Sequence, residues 1–283
     1  MNNMLELLGS LFRGRKLAED EYINEQDGLV YCRNCHTPRQ TAIRGNDGGI
    51  VFCPPVLCDC KRAEHDVEDA IRTAKQKADE IERLKRDGIR DRRLLGYTFE
   101  NDKDYNPEIA MAKRYVELFP DMEAHGMGLL LWGNVGTGKT FIAACIANAL
   151  MEQRVSVYMT SFSRIMNYMM GMVGTDRNAY LDELNRYRLL VIDDLGVEHD
   201  SSFAVEQVFS VIDSRCQSEK PMLITTNLSI GQLREPRDIP HARIFDRVLA
   251  HCYPVRINNT QIRQRVSEQN IAEAKRLLEG VAK

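Results

Sequence analysis

Residues 129–140 read LLLWGNVGTGKT, and the reading of this stretch decides the fold. An apolar run with the look of a buried strand breaks at Gly133 into a segment that matches GxxxxGK[ST] at every fixed position, ending in Gly138, Lys139 and Thr140. The next residues, FIAACIANALMEQ, read as a helix. Strand, glycine-rich turn and helix together are what a phosphate cradle requires. In such a cradle the backbone N–H groups of Gly133, Asn134, Val135, Gly136, Thr137 and Gly138 converge on phosphate oxygens, and the helix N-terminus adds its partial positive charge. Lys139 is the residue to reach the β- and γ-phosphates, and the Thr140 hydroxyl is the one to sit on Mg²⁺. Phe141 completes the set of candidate contacts.

Downstream, residues 189–194 read LLVIDD, a second buried strand that ends in two carboxylates. A phosphate-loop core needs such a strand to set an acid opposite the hydroxyl of the loop, which assigns Asp193 to the Mg²⁺ shell and Asp194 to the attacking water. A third apolar strand, 221–227, closes on hydroxyls and an amide. Asn227 is the candidate to hold a water near the γ-phosphate, with Thr226 as its alternative. Arg243 and Arg247 lie four apart on a helix and so share a face, where one of them can neutralise charge on a nucleotide across a subunit interface. The strands so placed predict an α/β domain with a central parallel sheet.

Upstream the composition changes. Five of the chain's eight cysteines fall between Cys32 and Cys60, as Cys32-x₂-Cys35 and Cys53-x₄-Cys58-x-Cys60 around a glycine-bearing loop. The spacing predicts a structural zinc site of four thiolates, Cys32, Cys35, Cys58 and Cys60, with Cys53 the substitute and His36 an outsider. So small a segment has too few apolar residues to fold without metal. Ahead of it, residues 1–16 read as a short helix with Met4, Leu5, Leu7, Leu8, Leu11 and Phe12 on one side. From 61 to 87, apolar residues at spacings of three and four within dense mixed charge predict a connecting helix. The expected division is 1–60, zinc-binding; 61–87, helical linker; and 88–283, the nucleotide domain.

Tyr97 and Phe99, just before the core, are candidates for an adenine pocket. Residues 161–185 read as one helix rich in methionine, with Phe162 and Arg164 near its start as a possible DNA contact. The net charge is −3 over 283 residues, so any nucleic-acid surface must be local. With no run of about 20 apolar residues and no signal-peptide pattern, a cytoplasmic protein without a membrane anchor is expected.

On LLLWGNVGTGKT, LLVIDDLG, PMLITTNLS and ARIFDRV, over about residues 88–267, the chain resembles the AAA+ ATPases of the bacterial replicative helicase loader family, the DnaC and DnaI type, including versions encoded by phages. The cysteine segment is similar to the zinc-binding N-terminal domain of some loaders. The resemblance implies an ATPase that uses ATP, Mg²⁺ and Zn²⁺ and contacts the replicative hexameric helicase through its N-terminal domain. It also implies a homo-oligomer with ATP at protomer interfaces and a domain that meets single-stranded DNA. By position, Asn227 looks like the first sensor, Arg247 (or Arg243) like the finger, and Arg263 like the second sensor. The family generally has Glu where this chain has Asp194, one methylene shorter, which implies slow hydrolysis. Two other readings remain. One is the related transposition helper ATPase, IstB-like, which generally lacks a cysteine-rich front. The other is a nucleotide-gated adaptor that hardly hydrolyses ATP.

Overall fold

A computed structural model describes residues 17–46, 48–102, 106–196, 202–236, 238–258 and 262–279. The short helix expected within residues 1–16 lies outside them. The chain divides into two compact units, Met1–Ala78 and Asp79–Lys283.

The first unit is held by two small antiparallel pairs, β1 (Glu21–Ile23) with β2 (Val30–Cys32) and β3 (Ile43–Arg44) with β4 (Ile50–Phe52). Its apolar residues are sparse and much exposed: Ile23, Ile43, Ile50, Val51, Val56 and Leu57 all face solvent. What is buried is sulfur, Cys32 and Cys58, and the carboxylate-bearing Glu21. Strands of two or three residues in pairs are not self-supporting, so the unit's cohesion must come from elsewhere.

Helix α1 runs from Asp59 to Gly88 without a break, three residues more than the expected linker. Its end has a steric cause. A Cβ on Gly88 would stand 2.2 Å from the Val157 carbonyl oxygen, so only glycine lets the chain pass there. Ile89 then bridges to Met159.

In the second unit α2 (Arg92–Leu95), a 3₁₀ turn (Phe99–Asn101), α3 (Ile109–Glu117) and α4 (Phe119–Ala124) precede β5 (Gly128–Trp132) and α5 (Lys139–Glu152). There follow β6 (Val157–Ser161), α6 (Phe162–Met170), α7 (Gly174–Arg186), β7 (Leu189–Leu195) and α8 (Ser202–Gln217). The chain continues through β8 (Met222–Thr226), α9 (Ile230–Arg234), α10 (Ile239–His251), β9 (Cys252–Arg256) and α11 (Ile262–Glu279). The five strands form one sheet, order β6-β7-β8-β5-β9, with every pairing parallel. The predicted α/β fold with a central parallel sheet is what the structure shows.

Parallel strands buried on both faces need continuous apolar runs, and they have them: Leu129, Leu130 and Leu131 are at most 2% exposed, as are Leu189 to Ile192. Each such leucine contributes about 1.5–3 kcal/mol. Two cores result. One lies between the sheet and α6, α8 and α10; the other packs α3 and α5 on the opposite face.

Two expectations need correction. Residues 161–185 are not one helix: α6 stops at Gly171 and α7 begins at Gly174. Phe162 is fully buried in the core, so it cannot meet DNA; of the two, only Arg164, two residues on and so on another face of the helix, reaches a cleft. Of the methionines, Met166 and Met169 fill the core, while Met170 faces solvent.

Candidate nucleotide cleft and cysteine cluster

In a parallel sheet the C-terminal strand ends and the loops after them form a crevice, and here that crevice is a cleft of about 1050 Å³. It is lined by the loop 135–141 on one side and by Asp193, Asp194 and Asn227 on the other. Asp91, Leu94, Tyr97, Asn101, Asp102 and Asn106 form a third wall.

The loop turns as its glycines allow. Gly138 caps α5 with φ +96°, and a Cβ there would come within 2.6 Å of Asn106 Oδ1. Thr137 Oγ1 donates to the Asn134 carbonyl at 2.9 Å, closing the turn. Lys139, 6% exposed, donates to the carbonyls of Gly133 (2.9 Å) and Asn134 (2.8 Å). Its ammonium is thus drawn inside the loop, beside the amides, where an anion would sit.

Opposite it, Thr140 Oγ1 donates to both carboxylate oxygens of Asp193 at 3.0 Å. Thr225 Oγ1 donates to Asp193 Oδ1 at 2.5 Å and accepts the Asp194 N–H at 3.0 Å. Burial pushes the Asp193 carboxyl above the ordinary carboxylate value, the Thr225 hydroxyl opposes this, and the neighbouring charge of Asp194 adds to it. A buried acid paired to two hydroxyls, next to an ammonium, is a donor set that suits a hard divalent cation bridging phosphates.

Asp194 has φ +61°, and the β7–β8 register shifts between Ile192 and Leu195. The bulge turns Asp194 out of the alternation, onto the cleft wall. A left-handed aspartate costs about 1–2 kcal/mol. Asn227 follows β8 and faces the cleft, exposed. Thr226 does not: its hydroxyl donates to the Leu195 carbonyl at 2.7 Å and accepts the Leu228 N–H at 3.1 Å.

Tyr97 lines the cleft with its ring 5.2 Å from that of Phe141, whereas Phe99 packs in the core beneath Lys113. Arg243 and Arg247 lie away from the cleft, both over the ring of Phe209 at 4.2 and 4.6 Å. Arg247 Nε also donates to Asp213 at 2.5 Å, while Arg243 is exposed. Arg263 is on α11, and its side chain lies outside the described residues.

Some functional side chains carried no signal in the linear pattern. Thr225 is one, because a hydroxyl inside a strand of apolar residues reads as strand. Arg215 is another: fully buried, it donates to the carbonyls of Tyr187, Arg188 and Pro221, and so clamps the N-terminal ends of β7 and β8. Burial pulls its pKa down to about 10.

In the first unit the sulfurs of Cys32, Cys35, Cys58 and Cys60 all lie within 4.8 Å of one another, with Cys32 to Cys60 at 3.6 Å and Cys58 to Cys60 at 3.4 Å. Four sulfurs at zinc-bond length from one centre stand about 3.8 Å apart, so the set fits a tetrahedral ion. Cys53 and His36 are outside the cluster. The Thr37 hydroxyl, followed by the backbone N–H of Cys60, lowers the Cys35 thiol to about 5. Contact with the Cys58 thiol, then with Cys35, raises Cys60 to about 12. Four thiols this close ionise unevenly unless a cation neutralises them. Arg39 Nη2 points at the Cys32 sulfur (3.5 Å), an outer hydrogen bond of the kind that orients a metal ligand.

Comparison with known proteins agrees with the cleft. The chain is 28% identical over 182 residues to the replicative helicase loader DnaI of Bacillus subtilis (strain 168), covering 58% of each chain. It is 29% identical over 143 residues to the replicative helicase loader DnaC of Escherichia coli (strain K12), covering 50% of this chain and 56% of that one. The chain thus spans a little over half the length of these curated relatives. The crystal structure of DnaI superposes with a TM-score of 0.51 at 25% identity, over 60% of this chain and 93% of that one. The crystal structure of the DnaC helicase loader, at 22% identity and TM-score 0.50, shares the fold. The family described as IstB-like ATP binding protein matches residues 68–270. That span holds the whole strand-loop-helix cradle and the strand ends that carry Asp193, Asp194 and Asn227, and the chain belongs to this family of ATP-binding P-loop proteins with an AAA+ fold.

Proposed function

We propose that this protein is an ATP-dependent loader that places a hexameric replicative helicase on single-stranded DNA. The observation that carries the reading is the Thr140–Asp193 pairing beside Lys139, in a chain whose relatives DnaI and DnaC are named replicative helicase loaders. Bound ATP with Mg²⁺ supplies a phosphoanhydride whose cleavage can drive a change of assembly. Lys139 and the loop amides hold the phosphates, and Thr140 and Asp193 hold the metal. Asp194 orients the attacking water, Asn227 senses the γ-phosphate, and Arg263 is the second sensor.

Arg247, or Arg243, completes a neighbour's site in a homo-oligomer. The Asp213 partner of Arg247 is given up in that step, and Arg243 already has a free guanidinium over Phe209. The carboxylate of Asp194, shorter than Glu and on a twisted backbone, makes hydrolysis slow. Residues 1–60, with zinc on Cys32, Cys35, Cys58 and Cys60, form the helicase-gripping end, 61–87 the connector, and 88–283 the ATPase domain. The protein acts in the cytoplasm; among the described residues no helix is long and apolar enough to cross a membrane.

The test is co-purification with the helicase of the same host, scored by ATP-dependent mass. Recovery of a helicase complex that Lys139→Ala abolishes and Arg247→Ala leaves unable to assemble or hydrolyse is expected. Normal assembly and hydrolysis by Arg247→Ala and Arg243→Ala would remove the finger. A second reading, the transposition helper, is favoured by the family match alone; zinc found on the four cysteines by elemental assay would weigh against it.

A further inference from the structure

Asn148 lies three turns into α5, the helix that begins at Lys139, and is 3% exposed. Its side-chain amide donates to two carbonyls, Leu94 at 2.7 Å and Tyr97 at 2.8 Å. Both partners can only accept, so the NH₂ group must be the end that faces them. The other end, Asn148 Oδ1, is buried without a hydrogen bond. A polar side chain kept in an apolar helix of alanines and isoleucines, with one end unsatisfied, is costly. Leucine would fill the same space at less cost if packing were all that mattered.

The two carbonyls belong to the segment 91–102, the wall of the cleft remote from Asp193. Leu94, Tyr97, Asn101 and Asp102 line it. Triphosphate held between Lys139, Thr140 and Asp193 leaves this wall to the base. Leu94, Leu95, Tyr97 and Phe99 pack against the core beneath, but that packing is not directional. Asp91 caps α2 by accepting the Arg93 N–H, and the backbone N–H groups of Gly96, Tyr97, Asn101 and Asp102 donate only to carbonyls three residues back. Asn148 therefore ties the base wall to the phosphate helix and sets the gap in which Tyr97 meets Phe141 at 5.2 Å.

We infer that Asn148 is a positioning residue for base recognition: it fixes the strap 94–101, and with it the Tyr97 ring that lines the cleft, and thereby sets selectivity for the base without touching it. The inference rests on the cleft being a nucleotide site. It concerns the base, not the phosphates, and this separates it from a general loss of packing.

The experiment measures binding of ATP, GTP and inorganic tripolyphosphate, each with Mg²⁺, to the full chain and to Asn148→Ala, by titration calorimetry. Hydrogen exchange of the amides of residues 94–101 is followed in parallel. The variant is expected to bind ATP about tenfold more weakly, to lose most of its preference for ATP over GTP, and to bind tripolyphosphate as before, with faster exchange in the strap alone. Asn148→Ser, which keeps one donor, falls between, and stands in if the alanine variant does not fold. Equal weakening of ATP and tripolyphosphate, or unchanged ATP-to-GTP preference in a folded variant, overturns the inference. A wild-type chain that binds tripolyphosphate as tightly as ATP overturns the nucleotide reading itself.

Discussion

The two units solve the problem of cohesion in opposite ways. The second buries leucines, isoleucines and valines on both faces of a five-stranded sheet, with buried polar groups such as Arg215 and Thr225 hydrogen-bonded among them. The first exposes most of its large apolar side chains and gathers four sulfurs instead. In one, the order of the chain follows from the exclusion of water; in the other, on the proposed zinc reading, it would follow from a coordination shell. Metal and denaturant should therefore act on different halves of the same molecule.

The sharpest way to break this contrast is to remove the metal. Chelation at neutral pH should abolish the dispersed resonances of residues 17–58 and leave the melting of the ATPase core where it was, as seen by NMR and calorimetry. Cys58→Ser should do the same, whereas Cys53→Ser should keep full zinc content by elemental assay. A core that melts together with the cysteine unit would show that the division is wrong.

A smaller effect is expected from the buried clamp. Arg215→Ala takes the guanidinium donors from the carbonyls of Tyr187 and Arg188 and leaves Pro221 only the Leu190 N–H at 3.4 Å, and should cost about 3 kcal/mol in denaturant unfolding. Zinc content should not change. If stability is unaltered, the strand ends are held by something other than this guanidinium.

The smallest effect concerns Asp193. Its native pKa is raised, so between the ordinary carboxylate value and the native one the folded chain keeps a proton that the unfolded chain has released. This group therefore makes stability fall as pH rises through that window. The anion that a divalent ion needs is present only above it. Thr225→Val removes the hydrogen bond that opposes the rise, so the Asp193 titration, followed by carboxyl NMR, should move further up. The pH at which half of the Mg²⁺ affinity is lost should move with it. A downward move would mean that the hydroxyl does not favour the anion.

Much of the fold was legible because it rests on runs and spacings. Parallel strands announce themselves as four apolar residues followed by an acid or a glycine, and the cysteine spacings picked out the four sulfurs that the structure brings together. What was not legible depends on which side chain faces which. Phe162 reads as a helix-surface aromatic until β7 and α8 are packed over it. Gly171 reads as a helix residue because glycine inside a helical period is tolerated, and only packing decides whether the helix stops. Thr225, Asn148 and Arg215 all act on partners more than two residues away, across the sheet or on another element. No local period records such a pairing. The bulge at Asp193 and Asp194 belongs to the same class, since one extra residue in a strand changes the aim of a carboxylate without changing composition.

The left-handed backbone at Asp194 has a consequence for engineering. Glycine or asparagine would sit there with less strain, so a screen for heat tolerance should return substitutions at this position, and each would discard the carboxylate that faces the cleft. With Asp194 in its proposed role toward the attacking water, robustness and turnover pull against each other at a single residue, and a thermostable descendant of this chain should be sought as a trapped, non-cycling form.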